Sequence, residues 1–214
     1  MPLKGFKYSI VLTAITAILS DYFSLTIFYF ILKLLTTSLI ILMPLLYASV
    51  KNSLFAKPII IGLIFCLIGD FSLLFEDYFT IGLISFLIGH IFFIRAFTVV
   101  NGWHWPLKIG IPLTFIAGLL LCLTYPNLNS FFIPVLLYII FIVIMSWQGI
   151  FLQLSSSNEA FKSVGYAVSL FMFSDGILAL NKFYIHFSLS GLLILSSYWL
   201  AIFFLGEAAS NDYS

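Results

Sequence analysis

Two carboxylates stand in stretches of chain that read as hydrocarbon. Asp70 lies in KPIIIGLIFCLIGDFSLLF and Asp175 in VGYAVSLFMFSDGILAL, each the sole acidic residue of its run. An ionised side chain at the centre of a bilayer costs about 2.5–3.5 kcal/mol on insertion scales, so such residues are read first as functional. Two carboxylates sharing a desolvated pocket cannot both ionise cheaply, and they titrate as a pair with one member kept protonated. A neutral carboxylic acid beside a carboxylate is a general acid beside a general base. The competing reading is structural: the aspartates pin helices together through Lys33 or backbone donors, as buried ion pairs can.

Weaker candidates surround them. His90, in FLIGHIFFIRAF, suits a helix-to-helix hydrogen bond or a catalytic role. Tyr198, in SSYWLAIFF, suits the core or a polar pocket wall, and Ser174 directly precedes Asp175. Lys33, His90, Ser174 and Tyr198 are therefore the candidate binding or orienting residues. His104 and His186 fall in connections, and no histidine spacing suits a zinc site. Cys66 and Cys122 each sit in an apolar run and read as small apolar fillers, with no disulfide framework. No nucleophile elbow, phosphate loop or dinucleotide fingerprint occurs, so neither metal nor cofactor is expected.

These residues need elements to hold them. The 214-residue chain is 63% hydrophobic and 8% charged, with a mean hydropathy of +1.19. Ordinary soluble domains are about 25% charged, so the solvent for this surface is lipid. A net charge of +1 argues against a nucleic-acid partner. With roughly 20 apolar residues per crossing, eight spans are predicted: Lys7–Ser20, Phe28–Tyr47, Pro58–Phe75, Phe79–Val100, Leu107–Thr124, Phe131–Gln153, Glu159–Leu180 and Phe187–Gly206. Runs of this length satisfy their backbone as helices. The expected fold is an all-α integral membrane bundle, one transmembrane domain over residues 1–214. The basic N-terminus resembles a signal peptide but lacks a small-residue cleavage site, and reads as the first anchor.

Lys4, Lys7, Lys51, Lys57, Arg95, Lys108 and Lys162 fall on the N-terminal side of these spans, whereas Lys182 shares the other side with Asp21, Glu76 and Asp77. The positive-inside rule then makes both termini cytoplasmic. Trp103 and Trp105 lie at a predicted boundary, as interfacial anchors do. Gly82, Gly89 and Ala96 recur at sevens along the fourth span, a stripe for close helix packing. Asp70 and Asp175 each come about five residues before the outer end of an outward-running span, placing both roughly 7–8 Å below that boundary. Lys33 enters the same layer from the second span.

The blocks GDFSLLF (69–75), IGLISFLIGHIFFIRAF (81–97), GYAVSLFMFSDGILALNKF (165–183) and YWLAIFFLG (198–206) resemble the YhhN-like lysoplasmalogenase family of multi-pass membrane enzymes. The resemblance runs from about Lys33 to the C-terminus. Departures are Leu34 after Lys33, where the family usually has proline, Phe93 in place of a frequent tyrosine, and no glutamine near Ile202. The resemblance implies hydrolysis of the vinyl-ether bond of a lysoplasmalogen, giving a fatty aldehyde and glycerophospho-ethanolamine or -choline, with Asp70 and Asp175 as acid and base. Two other functions use helix-borne carboxylates. A proton-coupled transporter would show inverted repeats, which are not evident. An intramembrane aspartyl protease would show a G-x-G-D motif, but Leu67 stands where its first glycine belongs. Short loops and small size favour a bacterial inner membrane.

Overall fold

The computed structural model describes residues 3–48 and 53–211; Lys51, one of the lysines counted above, lies outside them. Among the described residues there are eight helices long and apolar enough to cross a membrane. They are α1 (Leu3–Tyr22), α2 (Thr26–Tyr47), α3 (Ser53–Ser72), α4 (Phe79–Asn101), α5 (Leu107–Thr124), α6 (Phe132–Ser155), α7 (Glu159–Phe183) and α8 (Ser190–Ser210). A 3-10 turn, Glu76–Tyr78, leads into α4.

Most boundaries shift by a few residues from the sequence expectation, and those of the first, third and seventh helices matter here. The first helix is a full 20 residues, not the short Lys7–Ser20 segment. Its polar residues do not interrupt it, because Thr13, Thr16 and Ser20 donate to carbonyls one turn back within α1. The third helix begins at Ser53, with Pro58 in its second turn instead of at its start. It also stops at Ser72 instead of Phe75: Leu74 and Phe75 turn back onto the carbonyls of Phe71 and Ser72, at 3.2 Å each. The aspartates therefore lack the common register expected. Asp70 is two residues from the end of α3, whereas Asp175 is eight residues from the end of α7.

Helices α2, α3, α4, α6, α7 and α8 form the packed centre; α1 leans on α2 and α8, and α5 on α6 and α7. The closest seam is α3 against α4, and small residues on both sides make it. A Cβ at Gly89 of α4 would stand 3.1 Å from the Gly62 carbonyl of α3, and one at Gly69 of α3 would meet the Phe86 ring at 2.6 Å. The expected stripe is thus one half of a two-sided fit. Lys7 of α1 pairs with Glu207 of α8, which brings the N-terminal and C-terminal helices together at one end of the bundle. Trp103 and Trp105 are exposed and stacked on each other in the α4–α5 connection. Cys66 is buried beside this seam, but Cys122 is exposed on α5 and fills nothing.

Candidate active site

Asp70 is brought to the centre by the last turn of α3, where its side chain is only 2% exposed. One oxygen, Oδ2, accepts from the Thr37 hydroxyl of α2 at 2.6 Å and from the Tyr198 hydroxyl of α8 at 2.8 Å. The other, Oδ1, faces the Lys33 ammonium at 3.7 Å, an ion pair longer than a hydrogen bond. Lys33 and Thr37 are one helical turn apart and so share a face of α2. Thr37 in turn accepts from the Trp199 indole at 3.3 Å. Two helices, α2 and α8, thus supply this carboxylate's partners.

Asp175, in the middle of α7, is held differently. Its side chain is 15% exposed. The Tyr138 hydroxyl of α6 donates to Oδ2 at 2.5 Å, and Oδ1 has no hydrogen-bond partner among the described residues. His90 of α4 is fully buried between the rings of Tyr138 and Phe171. Its Nε2 is 3.9 Å from Asp175 Oδ2, and neither ring nitrogen has a hydrogen-bond partner among the described residues.

No hydrogen bond or ion pair joins the two carboxylates among the described residues. Between them runs a train of rings: Tyr198 packs on Phe86 and Phe171, Phe171 on His90, and His90 on Tyr138. Of the four candidate orienting residues, Lys33 and Tyr198 meet Asp70 and His90 approaches Asp175. Ser174 joins neither group, because its hydroxyl donates to the Ile194 carbonyl of α8 at 3.0 Å. Thr37 and Tyr138 were not singled out from the sequence. Thr37 had a signal in its spacing from Lys33, and Tyr138 is the one hydroxyl in the run FFIPVLLYIIFIV.

Two cavities flank this region. The first is apolar, lined by Phe79, Leu83, Phe86, Ile139, Met172 and others, with Asp175, Tyr138 and Thr124 as the polar part of its wall. The second is polar and roomier, about 240 Å³ against about 70 Å³. Lys33, Lys182, Asp21, Glu76 and Asn181 line it. Leu73, Phe79 and Leu178 line both, so the two cavities share a wall. On α7 the residues Asp175, Leu178, Ala179 and Lys182 follow an i, i+3, i+4, i+7 pattern, one helix face passing from one cavity to the other. Asp70 lines neither.

Eight membrane-length helices, with α4 to α7 walling an apolar cavity that has one carboxyl in its wall and adjoins a charged chamber, describe a polytopic membrane protein. Residues 28–209 match the YhhN family, and the chain belongs to that family. It is 32% identical over 152 residues to a human protein named lysoplasmalogenase TMEM86A (Homo sapiens), a match covering 68% of this chain and 62% of that relative. The bovine protein of the same name (Bos taurus) matches to the same extent. A rat protein named lysoplasmalogenase TMEM86B (Rattus norvegicus) is 29% identical over 145 residues, or 63% of this chain and 53% of the relative. The match thus spans less than two thirds of those relatives' own length. No solved structure matches the chain.

Proposed function

We propose that the protein is a lysoplasmalogenase, hydrolysing the vinyl ether of a lysoplasmalogen to a fatty aldehyde and a glycerophospho-alcohol. The observation that carries this reading is the placement of Asp175 and Tyr138 in the wall of an apolar cavity that adjoins a charged one. A lysoplasmalogen has its reactive bond where the hydrocarbon chain meets the head group, which is the position Asp175 occupies. The names of the relatives point the same way.

The chemistry divides the two aspartates. Asp175, as the acid, gives its proton to the outer alkene carbon, the π electrons of the C=C bond forming the new C–H bond. The resulting oxocarbenium ion is stabilised by the carboxylate just formed, whose charge the Tyr138 hydroxyl shares. Water then adds to the carbon bearing the ether oxygen, losing a proton back to Asp175, and the hemiacetal collapses to aldehyde and glycerol hydroxyl. His90, with Nε2 3.9 Å from Asp175 Oδ2, flanks this carboxyl from behind and lines neither cavity, so it orients the acid and not the water. Asp70, saturated by its own donors, holds Lys33 toward the polar chamber and touches no reacting atom. The assignment of Asp70 and Asp175 to one shared-proton dyad gives way here to one acid and one positioning residue.

Carbon protonation leaves a trace that tests the activity and the mechanism together. In heavy water, with rapid trapping as a stable derivative, the aldehyde is expected to carry one deuterium on the carbon next to the carbonyl. The glycerol oxygen is expected to be retained, because water attacks the vinyl side. Mass spectrometry showing unlabelled aldehyde, or solvent oxygen-18 in the glycerol fragment, overturns the mechanism.

We also propose that both termini are cytoplasmic and that the polar chamber opens to the opposite side, from the lysine distribution. Cysteine placed at Glu76→Cys should react with an impermeant label on intact cells, and cysteine at Lys162→Cys should not. The reverse pattern inverts the orientation.

A further inference from the structure

The polar chamber contains more charge than a bare phosphate would require. Lys33 and Lys182 line it together with Asp21 and Glu76, two cations against two anions. Lys33 is buried, and its ammonium stands 3.7 Å from Asp70 without a hydrogen bond, leaving its donors for the chamber. Asp21 comes from the end of α1 and presses on the start of α8, where its Oδ2 occupies the place a Cβ of Gly191 would need. Among the described residues neither carboxylate, Asp21 nor Glu76, accepts a side-chain hydrogen bond or joins an ion pair within bonding distance. Asn181 accepts from the Phe187 amide through Oδ1 at 3.3 Å, which turns its amide nitrogen free. A pocket with two unpaired carboxylates, a lysine paired only from behind by Asp70 and a second lysine without a carboxylate partner among the described residues is matched by a ligand that carries both signs.

We infer that this chamber is a head-group site for a phosphoethanolamine ester, with the phosphate on Lys33 and Lys182 and the primary ammonium on Asp21 and Glu76. The inference rests on the lysolipid reading above and adds the head group to it. Spacing supports it: Lys182 lies two turns beyond Asp175 on one face of α7, about 10 Å of rise. That matches the reach from a lysolipid phosphate to its sn-1 ether once the two side chains lean inward. The aromatic lining explains why a primary ammonium is preferred to a trimethylammonium. Quaternary cations are held by open aromatic faces, yet Tyr29 already lies under the Lys33 ammonium at 5.8 Å and Phe79 under that of Lys182 at 5.3 Å. Carboxylates that accept N–H bonds remain, and a trimethylammonium has none to donate.

Binding separates this inference from catalysis. Saturated 1-O-alkyl lysolipids lack the vinyl ether, so calorimetry on the purified protein in detergent measures affinity whether or not the enzyme reading holds. The expected order is phosphoethanolamine tightest, phosphocholine at least fivefold weaker, the simple phosphate ester weaker again, and alkylglycerol weakest. Asp21→Asn and Glu76→Gln should each weaken the ethanolamine lipid several-fold while leaving the phosphate ester unchanged or tighter. Lys182→Gln should weaken every phosphate-bearing lipid and spare alkylglycerol. Free glycerophosphoethanolamine separates a head-group site from a chain site: it should bind weakly, at millimolar concentration, and be lost in the same variants. Equal affinity for the head groups, or variants that leave the order intact, overturns the inference. Vinyl-ether turnover by the same preparation reports separately on the activity.

Discussion

Asp70 and Asp175 are the same residue in similar sequence surroundings, and the fold gives them opposite company. Asp70 receives two hydroxyl donors and faces an ammonium, from helices on two sides, and is nearly sealed. Asp175 receives one hydroxyl, keeps an oxygen free and looks into a cavity. A carboxyl whose oxygens are already engaged by donors has little left to offer a substrate. A carboxyl with one donor and an open face is able to change state during a reaction. Burial alone is therefore a poor guide to a candidate acid; the proposal for Asp175 rests on its free oxygen at a cavity wall.

The largest effect is expected at the open carboxyl. Asp175→Asn keeps shape and hydrogen bonding but removes the exchangeable proton, so turnover of a vinyl-ether substrate should fall by about 10³-fold or more, toward the upper range for loss of an acid–base group. The variant should elute and unfold as the parent does, since the carboxyl has one hydrogen bond among the described residues, from Tyr138, and an amide oxygen can accept it. Activity above a tenth of the parent would end the assignment.

Asp70→Asn should behave in the contrary way. It leaves the Lys33 ammonium buried without its counter-charge, and breaking a buried ion pair by removing one partner costs about 3–5 kcal/mol. Adding Lys33→Met removes the stranded charge, so most of that stability should return in the double variant. Denaturation in detergent of the two single variants and the double variant measures the coupling. The double variant should retain measurable kcat with a raised KM, because the residue proposed to meet the phosphate is gone. A stable Asp70→Asn protein with kcat lost as completely as in Asp175→Asn would bring the two aspartates back to a single catalytic pair.

The sequence made the eight helices plain because 18-residue apolar windows leave little choice in lipid. It also exposed both aspartates, since a charge inside such a window is costly. What it hid were the partners. Hydroxyls are cheap in a membrane helix because each can bond to a carbonyl one turn back, as Thr36 does to Leu32; adjacent Thr37 instead points at Asp70. Composition does not distinguish the two threonines; the rotation of α2 against α3 and α8 does. The helix ends were also hidden. The expected depth took helix ends as membrane boundaries, but α3 stops at Ser72 and α7 runs on to Phe183, so the equal spacing from the predicted ends does not recur in the observed helices.

Ser174 gives the smallest effect and the sharpest control, because sequence adjacency made it a companion of Asp175. The Ser174 hydroxyl donates to the Ile194 carbonyl across the α7–α8 seam, away from the cavity. Residues next to one another on a helix are about 100° apart, so neighbours in the chain look toward different partners. Interhelical hydrogen bonds in membrane proteins average about 0.6 kcal/mol. Ser174→Ala should therefore lower stability by roughly that amount and leave kcat and KM for a lysolipid vinyl ether within about twofold. A Ser174→Ala protein with normal unfolding but a kcat reduced tenfold would mean that the hydroxyl acts on the reaction. The seam between α7 and α8 would then be part of the catalytic wall, and the contrast between a sealed and an open aspartate would have to include a second donor on the open side.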